Sequence, residues 1–288
     1  MKKLLFAFVL SFSVITHAQT ELKFDTSFFD AENSYVALPK KDQETKYIFG
    51  VPYYDDVAGY SFKYYGDFKI VEGNFVKVDS YTNQSGSMIV RWENLGLKVA
   101  VLSQNVTKQF GLPVVPDFLK YYASKLPAKE LLVNKLSSAN GAGASNIALP
   151  KLETLYNEKY DSQKLFFELT FAYNALGKFA EAEKISNDVL KRGKADDLIK
   201  KEYIYSLVNQ NKVKEADDFL SKNISSFKTQ NNKIEALINT IALSAHNGNL
   251  DVAQKWLKEL KSEPNIDRYQ KNIQQLESII KEKQSKIL

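Results

Sequence analysis

Apolar and polar positions alternate in short runs over the first part of the chain, between Thr45 and Gln104. The runs are five to eight residues long, are rich in aromatic and β-branched residues, and are separated by Gly, Asn and Asp, as in strands joined by turns. Large apolar or aromatic side chains occupy every second position at Tyr60, Phe62 and Tyr64, and again at Met88, Val90 and Trp92. This alternation predicts one buried face of an antiparallel sheet. The predicted strands are Lys46–Val51, Tyr60–Tyr65, Asp67–Val71, Asn74–Tyr81, Ser87–Glu93 and Leu97–Ser103, with a hairpin loop at Asn83–Gly86.

From Pro116 onward the apolar spacing changes to the 3.6-residue period of helices. The segment Phe118–Leu136 predicts one or two helices broken near Pro127, because proline interrupts a helix. Small and polar residues then run from Ser137 to Ser145. This composition predicts a flexible linker.

A turn motif repeats in the second half of the chain. Gly177–Ala182 is followed 34 residues later by Asn211–Ala216 and 37 residues after that by Gly248–Ala253. Each copy has Gly or Asn first, an apolar residue two positions on and Ala five positions on, which suits a left-handed helix end followed by a closely packed second helix. The predicted helical hairpins pair Ser162–Leu176 with Ala180–Lys191, Asp196–Asn209 with Lys214–Asn223, and Lys233–His246 with Leu250–Lys261.

This pattern resembles the tetratricopeptide repeat, whose period is 34 residues. Thr170 and Ser186 depart from the family's small and aromatic residues, and the third copy has three extra residues before its turn. A generic solenoid of helical hairpins is the alternative. Ile266–Leu288 reads as a polar capping helix. The repeat-packing positions are Leu169, Tyr173, Gly177, Phe179 and Ala182, with Ala216, Gly248 and Ala253 in the later copies, and Pro264 stands at the closing position.

The resemblance implies a concave groove, lined by the first helix of each hairpin, that binds an extended peptide or a partner helix. Its charges are mixed, so the family's clamp for a C-terminal carboxylate is not predicted. The groove candidates are Lys164, Phe167, Glu168, Phe171 and Asn174, then Lys201, Glu202, Tyr205 and Asn209, then Asn239, Ala242 and His246.

The N-terminus has the parts of a secretory signal peptide. Lys2 and Lys3 precede an apolar run from Leu4 to Ile15, and Ala18 offers a small residue for cleavage. The run is too short to cross a bilayer. The sequence therefore predicts export to the periplasm or the medium, with the mature chain starting at Gln19 and no stable membrane insertion.

Composition removes most standard chemistry from this chain of 288 residues. It has no cysteine and two histidines, so disulfides, thiolate catalysis and Cys/His metal sites are excluded. Its 39 basic and 34 acidic residues are interleaved, unlike the basic stripe of a nucleic-acid binder. Asp55 and Asp56 lack the ligand spacing of a calcium loop. We expect no metal, no cofactor and no nucleic-acid partner.

Together these patterns predict an α+β protein, an N-terminal antiparallel β domain followed by a tetratricopeptide-like helical solenoid. The predicted boundaries are 1–18 for the signal, 19–112 for the β-rich domain, 113–149 for the connector and linker, and 150–288 for the repeats. The leading function is an exported interaction protein whose groove binds a protein of the cell envelope. The alternative is a glycan-binding module on the Tyr/Trp-rich sheet, with the repeats as a spacer, and a less favoured one is a carboxylate-dependent hydrolase. The aromatic residues of that possible glycan platform are Tyr47, Tyr53, Tyr54, Tyr60, Tyr64, Tyr65, Tyr81 and Trp92.

Overall fold

The structure, a computed structural model, describes residues 21–78 and 88–286. The chain divides into two compact units. The first contains the described residues up to Trp92 together with Leu97–Ala123, and the second contains Glu93–Gly96 and the described residues from Ser124 onward. The first unit is built on an antiparallel sheet and the second is helical, which confirms the predicted α+β class.

The sheet of the first unit joins seven strands in the order β1-β7-β2-β3-β4-β5, with β6 also paired to β4, and every pairing is antiparallel. β5 and β6 pair with successive stretches of the long strand β4, which lets the sheet curl. The strands are β1 (Thr26–Ser27), β2 (Val36–Ala37), β3 (Tyr47–Asp55), β4 (Gly59–Val71), β5 (Asn74–Val78), β6 (Ile89–Arg91) and β7 (Lys98–Val101).

Two predicted strands, Tyr60–Tyr65 and Asp67–Val71, are one strand in the structure. The register between β3 and β4 shifts at Phe49 and Gly50, so the long strand bends without ending. Gly50 is required there because a Cβ would lie 2.2 Å from the main-chain oxygen of Lys63.

Both faces of the sheet carry aromatic side chains. One face holds a core that includes Phe49, Tyr53 and Phe68, with the helix α1 (Gln104–Gln109) packed against it. On the other face Phe28 stacks on Trp92, with ring centroids 4.9 Å apart. The predicted buried face is therefore only partly correct. Tyr60 and Phe62 are buried, but Met88 and Val90 are 56% and 43% exposed, because they flank an open cleft.

The second unit consists of antiparallel helical hairpins. Its helices are α2 (Ala128–Gly141), α3 (Ser145–Asn157), α4 (Gln163–Ala175), α5 (Phe179–Lys191), α6 (Asp197–Asn209), α7 (Val213–Asn223), α8 (Gln230–His246), α9 (Leu250–Ser262) and α10 (Gln270–Ser285). The helices α2, α4, α6 and α8 begin the hairpins and lie side by side, whereas α3 and α5 pack against the first helices of their own and the following hairpin. The first helices therefore form one layer, and α10 packs on α8 and α9 at its end.

The prediction of a flexible linker at Ser137–Ser145 is wrong. These residues complete α2, turn at Gly143 and begin α3, so a further hairpin precedes the three that the sequence shows. Gly143 has a φ of 73°, close to the 71° of Gly177, and Ala148 is fully buried like Ala182. Both pairs stand 34 residues apart. Small residues allow two helices to approach closely as readily as they form a flexible linker, so composition alone pointed to the wrong structure.

The three extra residues of the third predicted copy lengthen a helix. α8 has 17 residues, whereas α4 and α6 have 13 each. The side chains that depart from the family pattern are satisfied inside their own helices. Thr170 donates to the carbonyl of Phe166 at 2.8 Å, and Ser186 donates to that of Ala182 at 2.7 Å, the usual bond of a buried hydroxyl within a helix.

Candidate functional site

The exposed face of the first helices, which we call the groove surface, carries a line of half-buried aromatic side chains. Phe167 and Phe171 lie on α4 with ring centroids 6.0 Å apart, and Tyr205 lies on α6 with its ring 6.2 Å from that of Phe179. All four rings are partly accessible. Apolar side chains in this state offer contact area to a partner without being needed to close the core.

Three predicted groove residues are buried instead. Glu168, Asn174 and Glu202 are 4%, 5% and 7% exposed. The side-chain amide of Asn174 donates to the Glu202 carboxylate at 2.9 Å and to the Glu202 carbonyl at 3.0 Å. The same two bonds join Asn140 to Glu168, at 2.8 and 3.0 Å. These residues therefore link neighbouring first helices and are not part of the exposed groove surface.

Burial and hydrogen bonding set the electrostatics of these links. Removal from water raises the pKa of the Glu202 carboxyl above its ordinary value, while the Asn174 amide and Lys201 oppose the shift. The Asn140 and Asn174 amide oxygens are themselves buried and have no hydrogen-bond partner in the described part of the chain. The sequence carries one trace of these links, because Asn and Glu each recur after 34 residues, but that spacing alone does not show that the two residues pair or are buried.

The remaining groove candidates are distributed along the first helices. Lys164 is exposed and donates to the Asn134 side chain on α2 at 2.8 Å, and Lys201 pairs with Glu235 on α8 at 2.7 Å. Both lysines therefore connect adjacent hairpins. Asn209 donates within α6 to the Tyr205 carbonyl, Asn239 and Ala242 are half-buried on α8, and His246 is exposed at its end.

The predicted repeat-packing residues lie at the contacts between helices. Leu169, Ala182, Ala216 and Ala253 are fully buried. Gly177 and Gly248 have φ of 71° and 80°, the left-handed geometry that ends a helix. Tyr173 is 9% exposed and donates its hydroxyl to Glu153 of α3 at 2.6 Å.

An acidic cleft of about 550 Å³ lies between α3, α4 and α5, with Glu153, Glu181 and Asp188 in its lining. Tyr156 donates to Asp188 at 2.5 Å. Burial, followed by this hydrogen bond, raises the pKa of Tyr156 to about 12, so the phenol keeps its proton into the alkaline range. Glu153 and Asp188 thus each accept a hydrogen bond from a tyrosine hydroxyl, and Arg192 also pairs with Asp188 at 3.0 Å. This arrangement stabilises the hairpin contact.

The first unit has a cleft of about 690 Å³, which we call the sheet cleft, between the residues that precede β3 and strand β6. Trp92 and Tyr64 line it. Other tyrosines of the proposed glycan platform are buried: Tyr53 and Tyr60 are each 2% exposed and Tyr54 is 9% exposed. Tyr81 lies outside the described residues. Tyr47 and Tyr65 are half-buried against the core of the first unit, so Tyr64 is the platform tyrosine that lines the sheet cleft.

The Asp55 carboxylate closes the turn between β3 and β4, accepting hydrogen bonds from the main-chain N–H groups of Val57 and Ala58 at 2.7 Å each. In the described part of the chain, no cluster of three His, Cys, Asp or Glu side chains is arranged to hold a metal ion. None of the described helices has the length and apolar character needed to span a membrane. The predicted signal peptide and the hairpin loop at Asn83–Gly86 fall outside residues 21–78 and 88–286.

No family model matches this chain, and no curated protein matches it.

Proposed function

We propose that this protein is an exported, non-enzymatic interaction protein whose helical unit binds an extended segment of a partner protein in the cell envelope. The observation that carries the proposal is the layer of first helices. It presents Phe167, Phe171 and Tyr205 as half-exposed rings on neighbouring hairpins. Aromatic side chains are the commonest anchors at protein interfaces because they bury a large area at low cost in conformational entropy.

The tetratricopeptide assignment belongs to the same proposal. It is supported by the 34-residue spacing of Gly143, Gly177 and Asn211, which all have positive φ, and by the buried alanine five positions after each of them. A generic solenoid of helical hairpins needs no such fixed alanine. The first-helix layer is the side on which repeat proteins of this kind present a binding surface.

The cell-envelope location rests on the N-terminal sequence alone. Lys2 and Lys3, the apolar run and Ala18 favour export. N-terminal sequencing of the protein from cell fractions tests this part: a chain starting at Gln19 in the periplasm or medium supports it, and an intact Met1 in the cytosol contradicts it.

The groove is tested by affinity capture from a cell-envelope fraction, followed by a binding measurement with the purified captured protein. We expect the double variant Phe171→Ser, Tyr205→Ser to weaken that binding at least about tenfold. The matched control is Leu176→Ser, an exposed apolar residue (39%) at the end of α4 outside the groove candidates. Equal binding by wild type and both variants would show that the groove surface is not the interface.

A further inference from the structure

The sheet cleft exposes apolar side chains that a strand would normally bury. Ile48 on β3 is 42% exposed, and Met88 and Val90 at β6 are 56% and 43% exposed. Phe62 and Trp92 also line the cleft. A concavity of about 690 Å³ falls within the range of about 300–1,000 Å³ that ligand sites occupy.

The carbon lining determines which ligands fit. Sugars present a hydroxyl on nearly every carbon and need many hydrogen-bond partners, whereas this lining is dominated by Ile, Met, Val, Phe and Trp side chains. A water molecule in the cleft has few hydrogen-bond partners, so its displacement by an apolar ligand makes binding more favourable. Met88 adds adaptability, because its unbranched side chain adjusts to the shape of a flexible ligand. An alkyl chain fits the lining better than a glycan does.

Three charged side chains, Glu44, Lys46 and Asp67, lie at the rim of the sheet cleft. The Glu44 carboxylate accepts a hydrogen bond from the Lys41 N–H at 3.0 Å, and the Asp67 carboxylate accepts one from the Tyr64 hydroxyl at 2.9 Å. The exposed ammonium of Lys46 has no hydrogen-bond or ion-pair partner within residues 21–78 and 88–286. Both carboxylates keep their negative charge. The Lys46 ammonium is the rim charge that no described side chain pairs with, so it is the group at the cleft that can bind an anion.

From this arrangement we propose that the sheet cleft binds a free long-chain carboxylate, that is, a fatty-acid anion. The alkyl chain lies on Ile48, Phe62 and Val90, and the carboxylate pairs with the Lys46 ammonium. The pairing is charge-assisted and the chain supplies the apolar contact. This site is separate from the groove surface of the helical unit, so either proposal can fail without the other.

Trp92 provides the measurement. The chain has two tryptophans, so Trp256→Phe leaves Trp92 as the only indole in the full-length protein. We expect dodecanoate, titrated below its critical micelle concentration, to shift the Trp92 emission saturably. Dodecanol, which has the same chain and no charge, should bind about three- to tenfold more weakly. Lys46→Gln should weaken dodecanoate binding by the same factor and leave dodecanol unaffected.

Matched variants locate the ligand in the cleft. Val90→Glu places a carboxylate among the lining side chains and should abolish dodecanoate binding. Val76→Glu on β5, which is similarly exposed (47%) but does not line the cleft, should leave it intact. Lys40→Gln is the control for Lys46→Gln, because the Lys40 ammonium lies over the Tyr47 ring and outside the cleft lining. Far-UV circular dichroism checks that each variant is folded.

Several results would overturn the proposal. One is no saturable response to dodecanoate in folded protein. Another is equal binding of dodecanoate and dodecanol that Lys46→Gln does not change. A response to malto-oligosaccharides without one to dodecanoate would favour the glycan hypothesis. Binding to phosphatidylglycerol vesicles that persists in Val90→Glu, without binding of free dodecanoate, would indicate attraction to a lipid surface.

Discussion

Asn174 and Glu202 lie 28 residues apart in the sequence and are joined by two hydrogen bonds between adjacent hairpins. The same relationship holds 34 positions earlier, between Asn140 and Glu168. At the following junction the equivalent residues are Val208 and Ala236, and both are fully buried. The stack therefore uses two solutions for one kind of contact, a polar link at two junctions and an apolar contact at the third.

Replacing one partner of the link should cost more than replacing both. Asn174→Ala leaves the buried Glu202 carboxylate and carbonyl without their donor, so we expect a loss of about 1–3 kcal/mol in the free energy of unfolding. The double variant Asn174→Val, Glu202→Ala copies the third junction and should recover most of that loss. Denaturant unfolding followed by the emission of Trp256, which is buried in α9, measures both, in a Trp92→Phe background. A double variant no more stable than Asn174→Ala would contradict this account.

The link should also make stability depend on pH. Because burial raises the pKa of Glu202 in the folded chain above its ordinary value of 4.5, the folded state keeps a proton that the unfolded chain has already lost. The free energy of unfolding should then fall as pH rises from about 4.5 toward 7. Glu202→Gln should reduce this slope, and Glu215→Gln, at an exposed position on α7, should not. The same fluorescence assay at several pH values checks it, and identical slopes in all three proteins would count against a proton on Glu202.

Ala216 should not tolerate a larger side chain. It is fully buried in the hairpin of α6 and α7, which has neighbours on both sides, so Ala216→Leu should destabilise the helical unit by about 1–3 kcal/mol. Lys214→Ala, two residues away and exposed, should change stability by less than about 0.5 kcal/mol. The assay is again denaturant unfolding through Trp256. A neutral Ala216→Leu would mean that the face assigned to the hairpin contact is incorrect.

Gly177 and Gly141 should respond differently to replacement by alanine. A Cβ at Gly177 meets no atom within 4 Å, but its φ of 71° is costly for alanine, so Gly177→Ala should destabilise by about 1–2 kcal/mol. Gly141, at the end of α2, also has open space and no positive φ, so Gly141→Ala should be neutral or stabilise by up to about 1 kcal/mol. Thermal unfolding followed at 222 nm compares them. Losses of equal size in both variants would rule out backbone conformation as the cause.

The local pattern of apolar and turn residues was sufficient to predict the helices α4 to α9 of the second unit. The predicted start and end of α5, α6 and α9 lie within one residue of those observed, because their amphipathic period and their turn residues agree. The hairpin of α2 and α3 was missed because its helix ends are made of Ser, Ala and Gly, which have the composition of a linker. Gly143 and Ala148 carried the repeat signal, but no apolar residue stands two positions after Gly143 to complete the motif.

The sequence by itself determined the α+β division, the strand-rich and helical halves and the spacing of the repeats, since these depend on residues close together along the chain. Only the tertiary structure decided that Glu168, Asn174 and Glu202 are buried partners and that Met88 and Val90 border a cleft. The physical reason is that burial depends on what packs over a side chain. Glu202 is covered by a helix whose Asn174 lies 28 residues away, and Val90 is left open because no described residue covers it completely.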